Sequence, residues 1–594
     1  MALGSSCLSL PSARDTGGNR GSGGSGGGAG TATGGSSGGG GGSVASGGST
    51  SQGGSGGSAG SGGSGGSSTT RSGAGGGPGS GGSATGGSQN SGGTTAAGGR
   101  GGTTAAGGSG GARGGASGQG GQRDAGQGGL GLTGLKIDAN SKNVLSCFVS
   151  WKTEQAASSV VQFGVGKYEW EIADADPVTD HKVVVIGMHA SQTYQIKAIS
   201  TAGGASASAE GSFKTGALPA TIPVAKVTVI DTAKMQPGWT LMNIQKGDGT
   251  STAKSQYPAM AVIYDADGQP VWYYIDGTSV DRGGAISVDL TDRGILLGSV
   301  MDANAKNAEP PREVDFAGNT LWQCSTPTCG GTGTLTHHVG KLSNGHYIIQ
   351  RDVGDMMSGT SPVYEEITAD GKVVWSLDYR KFVPPPSGAM GDWCHGNSIT
   401  VDIDKNEVYA NCRFMGLIKT TYQNPTLVWH LPASYSGKGI TNGMKFSPAT
   451  SQYSDTHDPE IHDDGTILFF DNGGYSGVVG EEGNPHGYHS RAVEYEIDEA
   501  GNTATLVWEF PGSFNVDPWY KNEFYLPFWG DADRLANGNV LVTAGVRGAN
   551  AESRIFEVTK QDGKVVWEFR LPVDFGVYRS ERLSPPPLVR SLTQ

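Results

Sequence analysis

A chain of 594 residues would ordinarily hold about four domains of ~150 residues, but most of its 104 glycines lie between Gly17 and Gly131, in a Gly/Ser/Thr/Ala tract almost without large apolar residues. Such a tract cannot bury enough surface to offset the entropy of ordering it, so residues 1–131 are expected to be a disordered tether. The formal net charge is -13, and residues 1–130 carry six Arg (Arg14, Arg20, Arg71, Arg100, Arg113, Arg123) against Asp15 and Asp124, a net +4 that leaves the remainder near -17; nucleic acid and anionic membranes are thereby excluded as main partners.

The chain starts M-A-L-G-S-S-C-L-S-L-P-S. Cys7, preceded by small residues and followed by a long Gly/Ser tether, resembles the mature start of a bacterial lipoprotein, although the hydrophobic segment that should precede it is not in the sequence. On this reading a lipid anchors the N-terminus. No run of 18 apolar residues marks a membrane-spanning helix. Six cysteines stand at 7, 147, 324, 329, 394 and 412. They lack the double C-x-x-C spacing of structural zinc, while Cys324 with Cys329 and Cys394 with Cys412 can each close a short loop. Such loops point to an oxidising, extracytoplasmic compartment.

Residues 132–218 have the composition of a small β-sandwich. Strands are expected at 145–151, 160–164, 182–186 and 193–200, each rich in β-branched and aromatic residues. F-V-S-W at 148–151, S-V-V-Q-F-G at 159–164, His181 and Y-Q-I-K-A at 194–198 resemble a fibronectin type III domain, with Trp151 as core tryptophan and Tyr194 on a late strand.

After a linker at Pro219–Pro223, residues 219–594 repeat. Six segments end in a Trp-bearing strand after a turn, at Trp272, Trp322, Trp375, Trp429, Trp508 and Trp567, with gaps of 50, 53, 54, 79 and 59 residues. Repeats of ~40–50 residues built from short strands and turns are the signature of a β-propeller, so the fold class is all-β with six blades. The tryptophans are read as packing between blades. The long gap holds 473–490, with His486 and His489, read as an insertion loop.

Chemistry is expected where inner strands converge. His457 stands eight residues before the turn glycine Gly465, and the same count leads to His337 before Gly345, Gly530 before Gly538 and Ile286 before Gly294. A slot that folds without histidine in some copies and carries it in others reads as a site. His395 in D-W-C-H-G-N-S-I and Arg413 in N-C-R-F complete it. Three imidazoles and a guanidinium in an otherwise acidic protein suit a compact anion, whose transition-state charge they would stabilise during phosphoryl or sulfuryl transfer. A three-histidine zinc site is the competing arrangement; Arg413 within the cluster counts against it. His338, His346, His462, His486 and His489 are read as surface or hydrogen-bonded residues.

From Val224 to Pro586 the chain resembles the bacterial aryl sulfotransferases (arylsulfate sulfotransferases), through H-H-x-x-x-L-x-N-G at 337–345, H-G-N-S at 395–398 with Arg413 eighteen residues after His395, H-D-P-E at 457–460 and the repeated G-x-V-V-W. The resemblance implies a six-bladed propeller behind a small β domain, with His457 as the nucleophile that becomes sulfated. It implies that His337, His395 and Arg413 hold the sulfuryl oxygens and that Asn397 assists. A phenolic sulfate donor and a phenolic acceptor would exchange the group by ping-pong transfer, without cofactor or metal. The folded part has no P-loop-like glycine motif, which agrees with a reaction that uses no nucleotide donor. The long tether is not part of the family's pattern. Two other readings stand beside this one: a non-catalytic cell-surface propeller that binds a ligand or protein, and a quinone-dependent dehydrogenase, which usually needs eight blades and a metal.

A chain lacking residues 1–130 is expected to melt within a few degrees of the full chain and to keep its activity, because the tract offers no core. Thermal unfolding of the two forms, side by side, checks this.

Overall fold

The computed structural model describes residues 130–247, 258–275, 285–299, 310–326, 329–355, 359–386, 391–434, 443–474, 489–527, 529–545 and 552–592. Cys7, the tether up to residue 129, and His486 within the expected insertion loop lie outside these. The described residues are all-β apart from the short helix Pro518–Asn522 and two single 3-10 turns.

The first strands are Leu132–Ala139, Cys147–Gly164, Trp170–Val185, Thr193–Ala202 and Ala205–Lys214. The segments read as separate strands at 145–151 and 160–164 belong to one strand of 18 residues. Its buried positions keep period two from end to end and break only at the exposed Glu154–Ala156, where its register with Trp170–Val185 shifts. The first half pairs with Leu132–Ala139 and the second with Thr193–Ala202, so one bent strand serves both halves of the sheet. Trp151 is in the core: its indole N–H donates to Ser200 Oγ at 2.8 Å and its ring stacks on His181 at 4.8 Å. The chain's last strand, Val589–Ser591, returns to pair with Trp170–Val185.

Beyond the linker, six sheets follow one another. The first is built on Trp239–Lys246, Met260–Tyr264 and Pro270–Ile275; the next five span 285–323, 334–378, 396–432, 445–510 and 531–570. Within each, strands joined by short connections pair antiparallel; in the sheet over 445–510 the added edge strand Lys445–Ser447 instead pairs parallel with Thr503–Phe510. The inner strands Ala285–Leu290, Thr334–Lys341, Gly396–Asp402, Thr456–Ile461 and Asp531–Arg534 lie side by side in that order. Both ends of this region are shared between the first and last sheets. Lys226–Ile230 adds an outer strand to the last sheet, and Ser580–Leu583 becomes an inner strand of the first by pairing with Trp239–Lys246.

Each of the six repeat tryptophans sits on the fourth strand of its sheet and reaches the next. Trp272 donates its indole N–H to Phe316 O (2.9 Å), Trp322 to Ala369 O (3.0 Å), Trp375 to Tyr422 O (2.8 Å), Trp429 to Glu499 Oε1 (2.9 Å) and Trp508 to Lys560 O (3.1 Å). Trp567, in the last sheet, donates to Ala266 O of the first at 2.9 Å, closing the cycle. The acceptors lie at the turn before the fourth strand of the neighbouring sheet, so a single repeated bond sets the angular step between sheets. Apolar contacts fill the space between: Leu417, Trp429 and Leu431 of one sheet cluster with Ile467, Phe469 and Tyr495 of the next.

Trp567 is fully buried and its ring also lies under the Arg582 guanidinium at 4.6 Å. Trp567→Ala is therefore expected to cost about 3–5 kcal/mol. Trp567→Phe, which keeps most of the packing but strands the Ala266 carbonyl, should cost about 1–3 kcal/mol. The midpoints of denaturant unfolding measure both.

Candidate active site

Three of the expected residues stand where inner strands depart from regular geometry. His337 lies in Thr334–Lys341 where the register slips between Leu335 and Val339, and its φ is +51°. His395 immediately precedes Gly396–Asp402 with φ +56°. His457 lies in Thr456–Ile461 at a slip between His457 and Glu460, with Asp458 at φ +45°. Left-handed conformations in non-glycine residues cost on the order of 1–3 kcal/mol each and concentrate at functional sites. The equivalent slot holding Gly530 is different in kind: a Cβ there would stand 2.4 Å from the Phe470 ring, so that sheet admits no side chain at the position.

Backbone bonds stitch the expected residues together. Arg413 N–H donates to His395 O at 3.0 Å, and Thr456 N–H donates to Arg413 O at 3.3 Å. The disulfide Cys394–Cys412, with Cα atoms 5.2 Å apart, joins the residue before His395 to the residue before Arg413. Cys324 and Cys329 form the second bridge, at 5.1 Å. Both pairings match the sequence reading.

The rings of His337 and His395 meet edge to face, centroids 4.7 Å apart. Tyr578 lies between the two remaining imidazoles, 5.9 Å from His337 and 6.0 Å from His457. Arg413 donates from Nη2 to Asp455 Oδ2 at 3.0 Å and to Pro527 O, and it also lies over the Phe414 ring. His395 is held by Asp392, which accepts from its backbone N–H at 3.0 Å and bonds its Nδ1. His337 Nδ1 is buried and has no hydrogen-bond partner among the described residues. Such an orphaned polar atom calls for a ligand or water.

His457 is 1% exposed. Burial first, then the Arg413 charge, hold its pKa well below 6.5, so the ring is neutral at neutral pH. Its Nδ1 meets Asn472 Oδ1 at 2.5 Å, which engages one of the two ring nitrogens. His337 is likewise held well below 6.5 by burial and then by His395. Asp352, close to Asp392 and His395, is pushed up to about 7, by burial first and the Asp392 charge second.

Asn397 is fully buried, and its side chain binds the framework: Nδ2 donates to Thr456 O at 2.7 Å and Oδ1 accepts from Asn411 at 2.7 Å and Ser398 at 3.3 Å. It thus supports the backbone next to His457. His338 is buried as well, its Nδ1 accepting from Arg579 at 3.3 Å. The sequence reading passed over Asn472, Asp392, Asp455, Tyr578 and Arg579, of which Asp392 bonds His395 three residues on, Asn472 bonds His457, Asp455 bonds Arg413 and Tyr578 packs on His337 and His457.

Along the same inner strands runs a second, acidic layer. Arg579 pairs with Asp458 Oδ2 at 2.7 Å and donates to Asn397 O at 2.8 Å. Around it stand Asp289, Glu460, Asp531, Asp533 and Glu581. Burial raises all five, Asp289 and Glu460 to about 7 and the others well above the carboxyl range. Arg579 faces Asp458, Asp531 and Asp289, and Arg534 faces Glu460, but burial outweighs these charges and favours the protonated carboxyls. D-P-E at 458–460 and D-A-D at 531–533 carry acids at period two on inner strands, a legible signal for this layer. Among the described residues no three His, Cys, Asp or Glu side chains are disposed to hold a metal ion.

The sequence profile of the arylsulfotransferase (ASST) family matches residues 225–579, a span that holds the site and all six sheets but for the inner strand Ser580–Leu583. The chain belongs to the arylsulfotransferase family. It is similar to the arylsulfate sulfotransferase AssT of Escherichia coli, 22% identical over 374 residues that make up 51% of this chain and 60% of that protein. The chain thus spans about 60% of the length of the curated relative it matches. Among solved structures, a Synechocystis apocarotenoid oxygenase has a TM-score of 0.29 at 10% identity, covering 61% of this chain and 95% of that one. BamB from Moraxella catarrhalis has 0.22 at 12% identity, covering 53% and 68%. Likeness at this level carries no argument.

The acidic layer has a measurable consequence. A carboxyl whose folded pKa is raised loses stability as pH climbs from its unfolded value, 3.8 for Asp531, through its folded value. Asp531→Asn removes that loss and still offers Ser580 N–H an acceptor. Its melting temperature relative to the wild type is expected to rise steadily as pH increases above 3.8. Melting curves from pH 4 to pH 8 test the sign.

Proposed function

We propose that the protein transfers a sulfuryl group from a phenolic sulfate ester to a phenolic acceptor through a sulfohistidine at His457, by a ping-pong route without nucleotide donor, cofactor or metal. The observation that carries the reading is His457 itself: a buried, neutral imidazole with Nδ1 engaged, gathered with Arg413, His337 and His395. Family membership supplies the class of chemistry.

In this reading the lone pair on His457 Nε2 attacks sulfur, the N–S bond forms as the bond to the aryl oxygen breaks, and a phenolate leaves. Arg413, His337 and His395 hold the sulfuryl oxygens, and the unengaged Nδ1 of His337 is available to one of them. A second phenol then takes the group from the histidine, restoring neutral imidazole. Asn397 acts by fixing the Thr456 carbonyl beside the nucleophile. The neutral state of His457 is a requirement, since a protonated ring has no lone pair to offer.

The six sheets, in this reading, are blades of a six-bladed β-propeller over 219–594, residues 132–218 a fibronectin type III-like sandwich, and residues 1–131 a tether. The cyclic order of the tryptophan bonds supports the blade count. Two disulfides support an extracytoplasmic place for the enzyme, and a lipid on Cys7 would hold it at the cell envelope.

His457→Asn is expected to fold normally and transfer nothing. Arg413→Ala should lower kcat by about 10²–10³-fold, the usual consequence of removing one donor to a developing oxyanion. Wild-type protein given 4-nitrophenyl sulfate without acceptor should gain one sulfuryl group at His457, read by intact-mass spectrometry at neutral to alkaline pH. An active enzyme that forms no adduct and survives the asparagine substitution overturns the covalent route. Absence of turnover with every aryl sulfate overturns the enzyme reading.

A further inference from the structure

Asn472 bonds the nucleophile in only one orientation. Its Nδ2 donates to two backbone carbonyls, Leu526 O at 2.8 Å and Trp529 O at 2.7 Å. Carbonyls only accept, so the amide cannot flip, and Oδ1 must face His457. An amide oxygen also only accepts, so the proton of the neutral imidazole must sit on Nδ1 and the lone pair on Nε2. The side chain is anchored further through its own backbone: Asn472 N–H donates to Asp455 O at 3.0 Å, and Asn472 O accepts from Ser490 Oγ at 2.9 Å. Ser490 Oγ in turn takes the Leu526 N–H at 2.7 Å.

We infer that Asn472 is a positioning residue that selects the Nδ1–H tautomer of His457, and that the carbonyls of Leu526, Pro527 and Trp529 hold this selector and Arg413 in one register. The inference rests on the sulfuryl transfer proposed above and extends it. Pro527 O accepts from Arg413 Nη2, between the two carbonyls that orient Asn472. One short segment therefore fixes both the nucleophile's proton and the guanidinium meant for the sulfuryl oxygens.

An amide suits this place better than a carboxylate. When Nε2 bonds to sulfur the ring becomes cationic while Nδ1 keeps its proton, and the bond to Asn472 Oδ1 strengthens as that charge appears. An aspartate would make the same bond, but its charge would favour imidazolium before the reaction begins and remove the lone pair. The neutral acceptor stabilises the charged ring without protonating the free one.

The test uses Asn472→Ala and the apolar, near-isosteric Asn472→Leu, each first shown to melt near the wild type. Nitrogen-15 NMR of the histidine side chains reads the tautomer independently of turnover. Wild-type His457 is expected to show Nδ1 protonated and Nε2 bare at neutral pH. Both variants are expected to lose that preference and to fall in kcat by about 10–100-fold, the scale seen when a group orienting a functional histidine is removed, with KM for 4-nitrophenyl sulfate little changed. A wild type with the proton on Nε2, or folded variants with wild-type tautomer and kcat, overturns the inference. If no sulfohistidine forms in the wild type the transfer reading falls, whereas a tautomer lost in the variants still supports the assignment to Asn472.

Discussion

The structure depends on one hydrogen bond made six times, from the indole of a fourth-strand tryptophan to the turn of the following sheet. Each bond is worth only about 1 kcal/mol net. Its weight comes from where it lies, at the outer part of a wedge, where the angle between neighbouring sheets is set. Burying an indole there also fills the gap that diverging sheets would leave. With the angle fixed, the inner strands of successive sheets are held side by side. The site is made from those strands, so its geometry is inherited from contacts far from any substrate.

At that centre the protein separates two kinds of electrostatics along the same strands. His337, His395, His457 and Arg413 gather three imidazoles and one permanent positive charge in one layer. Arg579 and the buried carboxyls answer from the other layer. Asp458, one residue after His457, belongs to the acidic layer and pairs with Arg579. Its left-handed φ and the register slip beside it let adjacent residues serve opposite purposes. A regular strand would alternate faces and could not place them so. Backbone strain at His337, His395 and Asp458 is therefore tied to the arrangement of charge.

Much of this was legible in the sequence because a repeat makes its own control. The tryptophan spacing announced six sheets, and the comparison of equivalent slots singled out His337 and His457 against Gly530 and Ile286. The adjacency of Cys394 to His395 and of Cys412 to Arg413 allowed the bridge to be read too. Apart from Asp392, which bonds His395 three residues on, what escaped was what depends on a neighbour distant in the chain. Asn472 lies in D-N-G-G, which reads as a turn, and its role exists only because Leu526 and Trp529 bring their carbonyls to it. Asn397, expected from H-G-N-S to assist, engages Thr456 and Asn411 with its side chain, partners that H-G-N-S does not announce. The two strands expected at 145–151 and 160–164 are one because the alternation of buried positions resumes in phase after Glu154–Ala156, a bend that composition does not announce.

The ring is closed by its two ends, with Lys226–Ile230 on the outside of the last sheet and Ser580–Leu583 on the inside of the first. These strands are separated by nearly the whole of the region, so closure requires the stretch leading into Ser580–Leu583 to reach back to the first sheet, a contact of long sequence separation. That stretch carries Tyr578 and Arg579, which join the imidazoles and the acidic layer from the last few residues before the closing strand. The centre is thus completed by the same event that shuts the ring. Loosening the pairing of Ser580–Leu583 with Trp239–Lys246 would therefore release Tyr578 and Arg579 from the imidazoles and from Asp458 along with the seam itself.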